Sequence, residues 1–321
     1  MAPQKKAMKK TIAVVGATGA QGGGLVRAIL AEAKGPFAAR AITRNAGSDK
    51  ATELSRLGAE VVVADLDDAG SLERAFESAY GVYCVTNFWE HFSPEKELSQ
   101  ARNLAEAASR AGASHVIWST LEDTRKWVPL DDDRMPTLME RYKVPHFDAK
   151  GEANAEFSKR KLPVTFMLTS FYWDNLTHFG SGPQPGADGV LALTLPMGDR
   201  KLPGIAAEDI GNCAWGIFRK GGDYLGKTVG IAGEHLTGAD MAGALAKALD
   251  VEVRYNDVSP AEYRALGFPG AEDLGNMFQF KRDFNEYFCG ARDPAAARKL
   301  NPSLLDFAAW LDRYKDRIPL S

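Results

Sequence analysis

The sequence predicts a doubly wound α/β fold with a parallel sheet, followed by a smaller, discontinuous α+β C-terminal domain. Three observations predict it. Short apolar runs alternate with helical patterns through the first half of the chain, glycines cluster at the first strand-to-helix turn, and the alternation breaks after residue 168. Strands that read as nearly continuous apolar runs between helices belong to a sheet covered on both faces.

The elements follow in order. Residues 11–15 are a short apolar strand, and 20–33 carry a helical pattern after the glycines. Strands at 38–43 and 60–64 alternate with helices at 49–57 and 71–78. The run 81–85 is a fourth strand, and 94–111 is a long helix with Pro94 in its first turn, where the missing N–H costs nothing. A fifth strand spans 115–118, a helix 145–160 and a sixth strand 163–168. Residues 180–189 hold four glycines and two prolines and read as a loop, and 190–195 as a strand outside the main sheet. The helical pattern at 207–218 is suited to return to the main sheet. Thr237 caps a helix running to 249, Ser259-Pro260 opens another, and 270–314 is mostly helical. No internal repeat is present.

With 321 residues the chain is long enough for one large domain or two ordinary ones. Composition is that of a globular protein, 45% hydrophobic and 25% charged. The formal net charge of -3 argues against general nucleic-acid binding, which needs a basic surface. Cys84, Cys213 and Cys289 fit neither a zinc spacing nor a disulfide framework, and no metal site is expected. Such cysteine usage points to a reducing compartment, the cytoplasm with the nucleus left open. Lys5, Lys6, Lys9 and Lys10 precede an apolar stretch that Gly16 soon interrupts, so residues 1–9 are expected to be a flexible basic tail rather than a signal peptide. No apolar run approaches the roughly 20 residues that span a bilayer.

The strongest motif is Gly16-Ala17-Thr18-Gly19-Ala20-Gln21-Gly22, between a strand and an amphipathic helix. In a Rossmann βαβ unit the first glycine allows the tight turn, the second lets the backbone approach a pyrophosphate and the third lets helix and strand pack closely. Exposed amides at the helix start then meet the phosphates, aided by the helix dipole. The bland alternative is a glycine turn without a ligand. NAD sites place a carboxylate at the end of the second strand. Here Arg44 stands there, with Asn45 and Ser48 nearby. An arginine fork binds a 2′-phosphate that a carboxylate would repel, so NADP or NADPH is favoured over NAD. Otherwise Arg44 is a solvated charge after a strand. Asp65 and Leu66 follow the third strand, where adenine would bind. Thr86, Asn87 and Phe88 follow the fourth, at the carboxyl edge where ligands sit. The dinucleotide domain is expected over 10–165 plus about 204–234, and the C-terminal domain over about 166–203 and 235–321.

Together these residues resemble the NmrA-like family, an atypical branch of the short-chain dehydrogenase/reductase fold, and within it the animal redox sensors. Besides the glycine motif, the resemblance rests on Ile42-Thr-Arg-Asn45, Val85-Thr-Asn-Phe-Trp-Glu90, His146-Phe-Asp-Ala-Lys-Gly151, Phe171-Tyr-Trp-Asp-Asn175, the stretch 266–274 and Asn276-Met-Phe278. It implies NADP binding without a well-supported catalytic cycle. Relatives sense the ratio of reduced to oxidised dinucleotide and bind partner proteins, and the fungal member restrains a GATA-type transcription factor. It further implies Gly16 through Gln21 at the pyrophosphate, Arg44 at the 2′-phosphate, Asp65 and Leu66 near adenine, and Thr86, Asn87 and Phe88 along the ribose and phosphates. Lys150 would reach the nicotinamide ribose, and Phe171 and Tyr172 would pack near the nicotinamide.

The chain departs from a working reductase of this fold, which uses Tyr-x-x-x-Lys on one helix face. Lys150 is present, but position 146 is His. Ser119 matches the remaining hydroxyl of that triad. Tyr142 lies eight residues from Lys150, roughly 12 Å along a helix, too far to substitute. His146 in a helix's first turn faces the positive end of the dipole, which disfavours imidazolium, so a capping or packing role is the plainer reading. The incomplete set leans away from an enzyme. The expected function is an NADP(H)-binding regulator whose occupancy changes its affinity for a partner protein. The alternative is an NADPH-dependent oxidoreductase of a quinone or small carbonyl compound, using Lys150, His146 and Ser119. A homodimer stays open; nucleic acid and membrane partners are not expected.

Overall fold

The computed structural model describes residues 8–178, 180–186 and 188–320. The tail expected over 1–9 lies, for residues 1–7, outside the described residues.

The first half alternates as expected: β1 (Lys10–Val14), α1 (Ala20–Ala31), β2 (Phe37–Thr43), α2 (Asp49–Arg56), β3 (Glu60–Val63), α3 (Ala69–Phe76), β4 (Gly81–Cys84), α4 (Pro94–Arg110), β5 (His115–Thr120), α5 (Pro145–Lys159) and β6 (Val164–Leu168). Local chemistry sets the helix starts. Ser48 and Ser93 cap α2 and α4, and Asp68 accepts from the amide of Ser71, which starts α3 two residues before the expected position.

Side-chain alternation assigns each strand to two cores. Ile12 and Val14 join Tyr83, Ile117, Leu25 and Val26 on one face; Ala13 and Val15 join Val82, Cys84, Trp118 and Leu104 on the other. Both faces are therefore covered.

The sequence departs from regular alternation after β6. Next come β7 (Phe171–Tyr172), β8 (Gln184–Pro185), β9 (Leu191–Leu195), β10 (Leu202–Ile205), α6 (Ala207–Lys220), β11 (Thr228–Gly230), β12 (Glu234–Leu236), α7 (Gly238–Leu249) and β13 (Val253–Asp257). The chain ends in α8 (Pro260–Arg264), α9 (Ala271–Asp283), α10 (Asn285–Gly290), α11 (Pro294–Leu300) and α12 (Phe307–Tyr314). Thr237 and Ser259 each close a capping box, with Asp240 and Glu262.

The main sheet has seven parallel strands in the order β11-β6-β5-β4-β1-β2-β3. The order reverses between β1 and β4, and that switch point is where a doubly wound sheet opens a crevice. The helix α6 returns to this sheet beside α1. Their backbones touch: a Cβ on Gly211 would stand 2.1 Å from the Leu25 nitrogen, and one on Gly24 2.5 Å from the Glu208 carbonyl oxygen.

Two three-stranded sheets, β12-β10-β7 and β13-β9-β8, belong to the smaller C-terminal region. The expected loop over 180–189 contains β8, whose Gln184 and Pro185 pair with Ala192 and Leu191 at the sheet edge, where a proline is tolerated. The apolar faces of β9, α7 and α12 meet around Trp173, Phe307 and Trp310. Among the described residues no helix is long and apolar enough to cross a membrane.

Candidate functional site

The crevice at the switch point is a cleft of about 700 Å³. Gly16 starts it at φ +64°, a left-handed conformation that favours glycine. A Cβ on Gly22 would lie 2.4 Å from the Gly16 carbonyl oxygen, so α1 sits directly on the turn. No side chain caps α1 and its first turn holds no acid, which leaves the amides of this helix end available to an anion.

Of the sequence-predicted residues, Gly16, Thr18, Gly19, Ala20, Gln21, Gly22, Arg44, Asn45, Ser48, Asp65, Leu66, Thr86, Asn87 and Tyr172 line this cleft. Ala17 does not: it is buried beneath the turn, its amide bonded to the Ile42 carbonyl at 3.2 Å. Phe88, Ser119, His146, Lys150 and Phe171 line a second cavity of about 680 Å³. The two share Gln21, Thr86, Asn87 and Tyr172 as a common wall. At this junction the Gln21 side chain is tied by three hydroxyls. Its oxygen accepts from Tyr83 and from Ser119 (2.8 Å), and its nitrogen donates to Tyr172 (2.5 Å). Burial raises the pKa of both tyrosines.

Both cations lining the first cleft are engaged by acids. Lys96 meets Asp67 at 2.8 Å. Arg44 grips Glu90 through both nitrogens of its fork, the second contact at 3.2 Å, and the hydrogen bonds and charge of Glu90 raise its pKa further. Glu90 sits on the turn Phe88–Glu90 after β4, followed by Phe92 at φ 52°, an uncommon conformation for a bulky residue. Trp89 from the same turn packs on His146, ring centroids 4.8 Å apart, and against Gly270 at the start of α9. Asn45 and Ser48 serve local structure: the Asn45 side chain accepts from the Gly47 amide, and Ser48 caps α2.

Lys150 is held deep in the wall. Its ammonium donates to the Thr86 hydroxyl (2.7 Å) and carbonyl (3.1 Å) and pairs with Glu97 of α4 at 2.6 Å. Glu97 is fully buried, with His91 3.4 Å from its other oxygen. Burial raises the Glu97 pKa, but the Lys150 charge, His91 and Thr86 outweigh it and hold the carboxyl down to about 2.

His146 occupies the first turn of α5, as expected, but it is not merely packed there. The Asp273 carboxylate from α9 accepts from the His146 amide (3.1 Å) and from its Nδ1–H (2.6 Å). That bond fixes the tautomer and leaves Nε2 as the ring's second nitrogen in the aromatic cavity. Four carboxylates thus escaped the sequence reading of the site: Glu90, Glu97, Asp67 and Asp273. Glu90 and Asp273 lie within stretches whose resemblance had been noted, and their long-range partners are set by tertiary structure.

The NmrA-like family model matches residues 8–311. The NmrA-like family domain-containing oxidoreductase ptmS of Penicillium ochrochloron is 28% identical over 335 residues, covering 95% of this chain and 98% of that protein. Solved structures of NmrA, a negative transcriptional regulator, in complex with NAD and with NADP are both 25% identical, with TM-scores of 0.75 and 0.74, covering 96% of this chain and 94% of theirs. The parallel sheet, the glycine turn and the match along nearly the whole length agree, and the chain belongs to the NmrA-like family.

Proposed function

We propose that this chain binds NADP(H) in the cleft and acts as a regulator whose dinucleotide occupancy is read by a partner protein. The residues fit the group: glycines without Cβ atoms at the turn, an uncapped helix end, and an arginine rather than a carboxylate after β2. In this reading the turn and helix start from Gly16 to Gln21 hold the pyrophosphate and Arg44 the 2′-phosphate. Asp65 and Leu66 flank adenine, Thr86, Asn87 and Phe88 follow the ribose and phosphates, and Lys150 with Phe171 and Tyr172 surrounds the nicotinamide riboside.

The observation that carries the sensing part is the Arg44–Glu90 pair. A 2′-phosphate competing for Arg44 frees Glu90, and Glu90 shares its turn with Trp89, which rests on His146 and Gly270. Occupancy of one site thereby biases a turn that touches the C-terminal region, and a tenfold preference for one arrangement is worth about 1.4 kcal/mol. Calorimetric titration of dinucleotide-free protein with NADP, NADPH, NAD and NADH tests it. The 2′-phosphorylated forms should bind at least about tenfold tighter, with Arg44→Ala removing the preference. Limited proteolysis of 88–93 should differ with and without NADP. Equal affinities, or identical cleavage in both states, would sink the sensor.

A second reading is favoured by one observation, the Asp273–His146 pair in the aromatic cavity. His146 Nε2 can hold a proton for the oxygen of a quinone or small carbonyl acceptor, while a bound NADPH supplies the hydride. Several fungal relatives are named oxidoreductases. Steady NADPH oxidation with such acceptors, abolished by Lys150→Ala, would establish it; no turnover across a broad panel would count against it.

A further inference from the structure

Lys281 of α9 lines the aromatic cavity and is 2% exposed. Its ammonium has one hydrogen bond, to the thioether of Met277 at 3.2 Å. Three rings surround it, Phe147 at 5.5 Å and Phe278 and Phe288 at 5.4 Å from nitrogen to centroid. Two charged groups act on it. Glu122 is committed to Arg292 by two hydrogen bonds of 2.7 and 2.9 Å, and that pair is itself buried, so its charges largely cancel. Among the described residues no carboxylate lies within ion-pair reach of Lys281. A thioether is a weak acceptor, and ring faces replace only part of an ammonium's hydration. When protonated, this ammonium has no anionic partner among the described residues, and the cavity that Lys281 lines is where one can enter.

The cavity defines what that partner can be. Its volume of about 680 Å³ suits a small organic ligand, and Phe88, Trp89, Phe171, Tyr263 and Phe278 supply flat apolar walls. We propose that the cavity binds a planar aromatic carboxylate, its rings between these walls and its carboxylate on Lys281. The proposal does not require a bound dinucleotide, because Lys281 does not line the cleft at the glycine turn, but Phe88 and Phe171 are walls shared with the nicotinamide end of the reading above.

Burial, then the Arg292 charge, lowers the Lys281 pKa to about 7. Above that pH the free lysine loses its proton, and an anion must bind together with a proton. The experiment is calorimetric titration of the full chain, free of dinucleotide, with 2-naphthoate and its neutral isostere 2-naphthamide at pH 6.5 and 8.5. At pH 6.5 naphthoate should bind at least tenfold tighter than the amide. At pH 8.5 its affinity should fall more than tenfold, with proton uptake visible as a buffer-dependent heat. In Lys281→Met the two probes should bind alike. Equal affinities in the wild type, failure of both to bind, or a preference that survives in Lys281→Met would overturn the proposal. The pH series on the wild type decides it even if the variant does not fold, and an NADP titration of the same sample reports separately on the dinucleotide reading.

Discussion

Arg44 and Glu90 stand 46 residues apart in sequence and meet fork to carboxylate at the rim of the cleft. Their side chains are 61% and 47% exposed, so solvent screens the pair, and such pairs contribute about 0–1 kcal/mol. Under the proposed reading, a 2′-phosphate dianion should displace so weak an internal anion from Arg44, and a ribose hydroxyl should not.

Glu90→Gln should therefore tighten NADP binding by about two- to fivefold and leave NAD unchanged, since the change removes only a competitor worth up to about 1 kcal/mol. Calorimetric affinities for both dinucleotides check this. An equal gain for NAD would mean that Glu90 acts on the whole cleft and not through Arg44.

Gly22→Ala and Gly211→Ala separate binding from packing. A Cβ at either position meets backbone, at 2.4 Å and 2.1 Å, and each should cost about 1–3 kcal/mol in urea unfolding. Gly22 packs on the Gly16 turn itself, whereas Gly211 meets α1 further along, from the Gln21 carbonyl to the Leu25 amide. Gly22→Ala should lose at least about tenfold in dinucleotide affinity, and Gly211→Ala should keep it within about twofold.

The glycines of the first turn, Arg44 and the alternating apolar runs were legible because each is a local rule: a turn, a charge after a strand, a period. The partners of the charges were not. Lys150 pairs with Glu97 on another helix, and His146 with Asp273, 127 residues away. The short strands of the C-terminal region were hidden for a related reason. β10 reads Leu-Pro-Gly-Ile, a turn by propensity, yet it pairs with β12 and β7. Its Gly204 is required by a neighbour invisible in sequence, since a Cβ there would lie 2.1 Å from Trp173 Nε1.

Glu97 should govern the acid limb of stability. Its folded pKa is held down to about 2 against an ordinary 4.5, so its contribution is present above pH 4.5 and is lost as pH falls towards 2. Glu97→Gln should remove that part of the limb and cost about 3–5 kcal/mol at pH 7, because it strands the Lys150 ammonium in the wall. Urea midpoints between pH 2.5 and 7 measure both effects. A variant as stable as the wild type would show that Lys150 finds other partners at no cost.

Asp273→Asn tests whether His146 does chemistry or only holds α5 to α9. The amide can still accept the His146 amide proton but loses the charge that fixes the ring tautomer. If His146 delivers a proton, NADPH-dependent turnover of a responsive quinone should fall about tenfold or more and its pH profile should move. If the role is structural, melting temperature changes and the pH profile does not.

Lys281 gives the opposite pH dependence from Glu97. Its pKa is lowered from 10.5 to about 7, first by burial and then by Arg292. Below pH 7 both folded and unfolded chains carry the proton, and the folded state bears the full cost of the buried charge. Between pH 7 and 10.5 the folded chain has released the proton while the unfolded chain keeps it, so stability rises with pH across that window. Lys281→Met fills similar space without a charge. It should exceed the wild type at pH 6 by about 4–5 kcal/mol, and the difference should shrink steadily towards pH 10. Urea unfolding of both proteins at pH 6, 8 and 10 measures that difference directly, cancelling the groups they share. If the variant is the less stable at pH 6, Lys281 is already satisfied inside the fold, and the cavity has no need of an anionic guest.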